Sequence, residues 1–166
     1  LQTIGVEYEN PEGLFFPDTY IVNAGSSDIE IFKKSYQAMQ KHLDTAWQLR
    51  APDLPYRNPY EALIIASIIE KETGRTRDRS KIAAVFINRM RLGMRLQTDP
   101  TLIYGMGATF DGNLRKKDLL TDTPYNTYTR AGLPPTPISL PSKESLLAAV
   151  NPANTDALYF VARGDG

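Results

Sequence analysis

The stretch Leu63-Ile64-Ile65-Ala66-Ser67-Ile68-Ile69-Glu70-Lys71-Glu72-Thr73 decides how this chain is read. It is apolar on every side of a helix, which predicts a core helix rather than one with a wet face. The run then ends in acid. A carboxylate there is costly to bury unless it is neutralised or hydrogen-bonded, and partial burial raises its pKa toward the range of a general acid. Glu70 and Glu72 stand two residues apart, about 200° around a helix, so at most one of them faces a given substrate bond. Leu63, Ala66 and Ser67 share the face of Glu70, and the small residues among them leave room for a ligand. Ile65, Ile68 and Ile69 crowd the face of Glu72, where Lys71, Arg75 or Arg77 can pair with it. This favours Glu70 as the acid, although a salt-bridged or solvated carboxylate would give the same pattern.

The 166 residues are the size of one domain, and 1–166 reads as a single unit able to bury a core. With 19 basic and 19 acidic residues the net charge is zero, which removes the electrostatic case for a nucleic acid or an anionic membrane surface as partner. No cysteine and a single histidine exclude disulfides, thiolate chemistry and Cys/His zinc sites; any Ser-His-Asp triad would have to use His42. Neither metal nor cofactor is expected, and the chemistry falls to carboxylates, hydroxyls and amides. There is no membrane-spanning run or signal peptide, and the ends at Leu1-Gln2-Thr3 and Gly164-Asp165-Gly166 read as cuts in a longer chain.

Around the central run the sequence predicts helices with clear punctuation. Ser27-Asp28-Ile29-Glu30 is a capping box, followed by Ile29, Phe32, Tyr36, Met39, Leu43 and Trp47 at helical spacing up to a stop at Pro52. His42 lies one position off that stripe and reads as partly solvated. Asn58 caps the core helix, with Pro59 in its first turn and Gly74 at its end. A third helix starts near Asp78, buries Ile82, Val85, Phe86 and Met90, and closes at Gly93, with Arg89 and Arg91 suiting its dipole. A short helix follows Pro100, and a last one runs from Ser142 to Val150. The aromatic segment 12–22 and Leu158 to Val161 read as strands. Between Gly105 and Pro141 lies a long Tyr-, Pro- and Gly-rich stretch of the kind that usually carries function.

Two polar clusters accompany the acid. Leu96-Gln97-Thr98-Asp99-Pro100-Thr101 precedes a helix start, so Thr98 or Asp99 could simply cap it, while Gln97 is harder to dismiss. Tyr125-Asn126-Thr127-Tyr128-Thr129 combines rings and amides, which suits a pyranose face and its hydroxyl or acetamido groups; a tyrosine-rich loop packed on the core is the plain alternative.

Read together, Ala66-Ser67-Ile68-Ile69-Glu70-Lys71-Glu72-Thr73, Val85-Phe86-Ile87-Asn88-Arg89, Arg95-Leu96-Gln97-Thr98-Asp99-Pro100-Thr101 and Tyr125-Asn126-Thr127-Tyr128 with Gly132-Leu133-Pro134-Pro135 resemble the MltG (YceG-like) family of endolytic murein transglycosylases. The resemblance extends from Glu12-Gly13-Leu14-Phe15-Phe16 to Tyr159-Phe160-Val161. It implies a bacterial lyase that cuts peptidoglycan strands between N-acetylmuramic acid and N-acetylglucosamine, leaving 1,6-anhydromuramic ends. It also implies a single-pass anchor in the inner membrane, a periplasmic catalytic domain, a LysM-like subdomain mostly missing here, and peptidoglycan synthases as possible partners. The family's catalytic glutamate falls on Glu70. Expected on the substrate are Ser67, Gln97, Thr98, Asp99, Tyr104, Tyr125, Asn126, Thr127 and Tyr128. The expected architecture is α+β and mainly helical, with a lysozyme-like groove, a small sheet and long loops. The rivals are a hydrolytic muramidase using Asp99 as second carboxylate, and a glycan-binding module without turnover.

Overall fold

The computed structural model describes residues 2–161, and it is mainly helical. After a short 3-10 turn at Gln2–Ile4 come α1 (Asp28–Gln48), α2 (Pro59–Glu72), α3 (Thr76–Arg91), α4 (Asp99–Met106), α5 (Lys116–Leu120) and α6 (Lys143–Val150). The central helix α2 is buried continuously from Glu61 to Ile69, with α1, α3, α4 and α6 packed around it. No face was left for water because each of its sides meets another helix. Its start follows the sequence cues: the Asn58 side chain accepts from Glu61 N at 3.1 Å, and Glu61 reaches back to Arg57 N at 2.7 Å. The capping box of α1 also forms, through Ser27 and Glu30.

The expected sheet does not form; among the described residues there is no strand. Hydrogen bonds to helices hold these segments instead. Segment 12–22 is irregular, tied to α1 by Phe16 N donating to Ser35 O at 3.1 Å and by the Ser35 hydroxyl donating to Phe16 O at 3.0 Å. Gly13 lets the same segment lie close against Pro137: at φ 79°, a Cβ there would meet Pro137 Cβ at 2.4 Å. At the other end, Asn88 and Arg89 of α3 satisfy the carbonyls of Thr155, Ala157 and Leu158 that a neighbouring strand would have taken. Nor is the 105–141 stretch featureless, since it holds the end of α4, a 3-10 turn at Gly107–Thr109 and α5. On α1, Met39 and Leu43 are buried as expected, whereas Ile29 and Phe32 are largely exposed. His42 is half-buried, its ring stacked 4.1 Å from that of Phe16.

Candidate active site

The two acids at the end of α2 face different surroundings. Glu70 turns toward α6, whose N-cap is Ser142. Its Oε2 accepts from Ser142 N at 2.9 Å, from the Ser142 hydroxyl at 2.5 Å and from the Ser145 hydroxyl at 2.7 Å, while Oε1 meets Arg79 Nη2 at 3.1 Å. Burial raises the pKa, but the hydrogen bonds from Ser142 and Ser145 together with Arg79 outweigh it and hold Glu70 below the ordinary glutamate value. Such a carboxylate is ionised, caps a helix and compensates a buried arginine. The room expected beside it is filled as well. Ser67 is fully buried, its hydroxyl donating to Ile64 O at 2.7 Å and accepting from Ile138 N at 3.0 Å, while its carbonyl accepts from the Ser139 hydroxyl at 2.9 Å. The structure thus corrects the expectation of a neutral Glu70 beside an open ligand face.

Glu72 faces the other way, into a cavity of about 250 Å³ that it lines with Val85, Arg89, Leu96, Gln97, Thr98, Asp99, Tyr128, Tyr159 and Phe160. Burial pushes its carboxyl above the ordinary value, a hydrogen bond from Thr98 pulls it back in part, and the neighbouring Asp99 charge pushes it up again. The net direction is upward, so the proton is held more firmly here than on a free glutamate. Among the described residues no carboxylate-rich or histidine cluster could hold a metal ion.

The wall around Glu72 is built by the Gln97–Thr101 segment and the Asn126–Tyr128 turn. Gln97 N donates to Thr127 O at 3.1 Å, Thr98 N donates to the Thr127 hydroxyl at 3.1 Å, and the Thr101 and Thr127 hydroxyls meet at 2.9 Å. Gln97, which lines the cavity, is held at φ 53°, a left-handed conformation uncommon for a residue with a side chain, and its side-chain oxygen accepts from Arg89. The Tyr128 hydroxyl donates to Asp99, and burial ahead of that acidic contact raises the pKa of the phenol. Of the residues expected on the substrate, Thr98, Asp99, Gln97 and Tyr128 line the cavity.

Other expected residues serve the scaffold. Asn126 is completely buried; its Nδ2 donates to the carbonyls of Asp118, Leu119 and Thr121 at 3.3, 3.2 and 2.7 Å, closing the end of α5, and its Oδ1 accepts from Tyr128 N at 2.9 Å. Thr127 is buried in the wall behind Thr98. Tyr104 and Tyr125 pack together at 4.9 Å away from the cavity lining, with the Tyr125 hydroxyl 2.8 Å from that of Thr136.

Arg89 is a residue that the sequence reading did not place. Read there as a complement to the helix dipole, it is 5% exposed and bridges both sides of the cavity. Its Nη1 donates to Arg95 O, Leu96 O and the Gln97 side chain at 3.1, 2.8 and 3.3 Å, while Nε donates to Leu158 O at 2.7 Å. The available signal was its spacing: Arg89 follows Ile82, Val85 and Phe86 on the buried face of α3, where a cation needs several acceptors.

Comparison with known proteins identifies the family. A family profile described as the YceG-like family matches residues 2–166. The chain is 40% identical over 157 residues to the endolytic murein transglycosylase of Bacillus subtilis, covering 93% of this chain and 42% of that protein. It is 34% identical over 156 residues to the protein of the same name in Streptococcus pneumoniae D39, covering 91% of this chain and 28% of the other. A crystal structure of a yceG-like protein from Listeria monocytogenes matches with a TM-score of 0.77 at 38% identity, over 93% of this chain and 50% of that one. The chain thus spans less than half the length of these two curated relatives.

Proposed function

The chain belongs to the YceG-like family, and we propose that it is the catalytic part of an endolytic murein transglycosylase in which Glu72, rather than Glu70, is the proton donor. The observation that carries this reading is a half-buried carboxylate, its pKa pushed up by burial, lining a cavity furnished with hydroxyl, amide and aromatic groups. The names of the relatives supply the substrate class, the glycan strands of peptidoglycan.

Protonated Glu72 donates to the oxygen between N-acetylmuramic acid and N-acetylglucosamine as the C1–O bond breaks, and the muramic acetamido oxygen supports the oxocarbenium-like centre. Ionised Glu72, its charge stabilised by the Thr98 hydroxyl, then takes the proton of the muramic 6-hydroxyl. That oxygen attacks C1 and closes the 1,6-anhydro ring. One proton goes out and one returns, no water is consumed, and one carboxylate suffices. Gln97, Asp99 and Tyr128 orient the sugars; good orientation can lower such a barrier by several kcal/mol.

Asp99 in the same cavity is the observation that favours a second reading, a hydrolytic muramidase in which Asp99 directs water. Product mass separates the two. Wild-type chain incubated with uncrosslinked glycan strands should give anhydro ends, one water lighter than reducing ends; reducing ends alone would assign hydrolysis. Glu72→Gln should abolish cleavage, and full activity in that variant would refute the assignment and revive Glu70. Strand binding with no cleavage by the wild type would instead support a binding module.

The same reading places the domain outside the cytoplasmic membrane, tethered by a segment beyond this chain. No helix among the described residues is long and apolar enough to cross a membrane. Digestion of a tagged full-length protein by protease added to spheroplasts tests that placement, and protection of the domain would refute it.

A further inference from the structure

The extended segment after Asn154 brings two rings to the cavity that the proposed chemistry leaves unused. Its backbone is fixed from α3: Asn88 Nδ2 donates to Thr155 O at 2.9 Å and to Ala157 O at 3.0 Å, and Arg89 Nε donates to Leu158 O at 2.7 Å. Successive side chains of extended chain point opposite ways, and the next two residues find separate supports. Phe160 sets its ring edge-on to Phe86, 5.8 Å between centroids at 89°. Tyr159 lies across the Arg89 guanidinium, 4.7 Å from the ring centroid. Arg89 is itself clamped by three backbone carbonyls and the Gln97 amide, so this bed is rigid. Even so, Tyr159 remains 69% exposed while lining the cavity with Glu72, and its hydroxyl makes no hydrogen bond among the described residues. A large ring held in place on one face and left open on the other, inside a concave polar site, is built for a flat apolar partner.

We propose that Tyr159 is a sugar-stacking platform: its open face takes the apolar C–H face of a pyranose next to the bond that Glu72 protonates, with Arg89 as the support that fixes the ring. The inference rests on the reading of the site as a glycan cleft. The occupant is a neutral N-acetylated hexose, whose equatorial hydroxyl and acetamido groups find partners in Gln97, Asp99 and Tyr128 around the same cavity. Because the ring is ordered before the sugar arrives, stacking costs little side-chain entropy.

The test uses binding, so that it reads the platform without turnover. In a Glu72→Gln background, calorimetry with oligomers of β-1,4-linked N-acetylglucosamine should show Tyr159→Phe close to the parent. Tyr159→Ala and Tyr159→Leu should weaken Kd by roughly five- to tenfold, the size of a lost ring contact. In the active chain the same two substitutions should raise KM on uncrosslinked strands while changing kcat by less than about twofold. The exposed position makes loss of fold an unconvincing cause, and an unchanged circular dichroism spectrum checks it. Unchanged Kd and KM in Tyr159→Ala, with cleavage intact, would overturn the platform and leave the role of Glu72 standing. Tyr159→Phe binding as poorly as Tyr159→Ala would overturn it too, by assigning the contact to the hydroxyl. A chain that neither binds nor cleaves strands would overturn the platform together with the glycan reading.

Discussion

Glu70 and Glu72 occupy the same helical turn, yet one is built into the scaffold and the other into a cavity. Glu70 meets three donors on Ser142 and Ser145 plus the buried Arg79, so its charge is fully matched. Glu72 meets one hydroxyl, a second carboxylate nearby, and open space. Burial acts on both in the same direction; the number of donors decides whether the pKa ends below or above that of a free glutamate. A carboxylate at the end of a core helix becomes chemically useful through what its surroundings withhold.

The strongest way to break this contrast is to neutralise each acid in turn. Glu72→Gln should lower strand cleavage by about 10³-fold or more, measured as anhydro product released, with the fold intact. Glu70→Gln should do the reverse: it leaves Arg79 buried without its partner and strips charge from three hydrogen bonds, costing about 2–3 kcal/mol in denaturant unfolding. Its cleavage rate below the unfolding transition should stay within a few-fold of wild type. A dead but stable Glu70→Gln would exchange the two roles.

Next in size is a contrast within the Asn126–Tyr128 turn. Asn126→Ala should destabilise by about 2 kcal/mol, because the buried amide is lost and three carbonyls at the α5 end lose their donor. Tyr128→Phe should leave stability within about 0.5 kcal/mol and lower cleavage several-fold by freeing Asp99. Chemical denaturation and product assays on both variants read this out.

The pH dependence sharpens the comparison further, because the two shifts have opposite signs. The Glu70 pKa is lowered on folding, so its stabilisation is present above the ordinary value of 4.5 and lost as pH falls through the folded value; wild type and Glu70→Gln should converge in acid. The Glu72 pKa is raised, so its favourable contribution is present below 4.5 and lost as pH rises through the folded value. Glu72→Gln should accordingly be the more stable protein at neutral pH and match wild type in acid. Cleavage by wild type should fall on the alkaline side of that same raised value. The smallest effect is expected at Gln97, where glycine would relieve the φ of 53° and gain up to about 1 kcal/mol in stability while weakening catalysis.

How far the primary structure reaches can be read from particular elements. The burial of α2 on all sides, the Ser27, Asn58 and Ser142 caps, the polar segment at Gln97–Asp99 and the family resemblance all follow from local pattern, because capping and apolar periodicity act within a few residues. The absent sheet was out of reach: Val and Phe content cannot reveal that Asn88 and Arg89, roughly seventy positions earlier, satisfy the C-terminal carbonyls. The Tyr125-Asn126 motif looked like a sugar contact, but a buried amide is just as useful closing α5.

What the sequence determined by itself is that two acids end a greasy helix and that, at about 200° apart, they cannot share a task. Which of them holds its proton more firmly than a free glutamate was decided only by tertiary structure. The serine partners of Glu70 lie 72 and 75 residues along the chain, and the cavity beside Glu72 exists because α3, α4 and the Tyr128 turn meet there without filling it. A pKa depends on donors and solvent within a few ångströms, and those neighbours are fixed by packing.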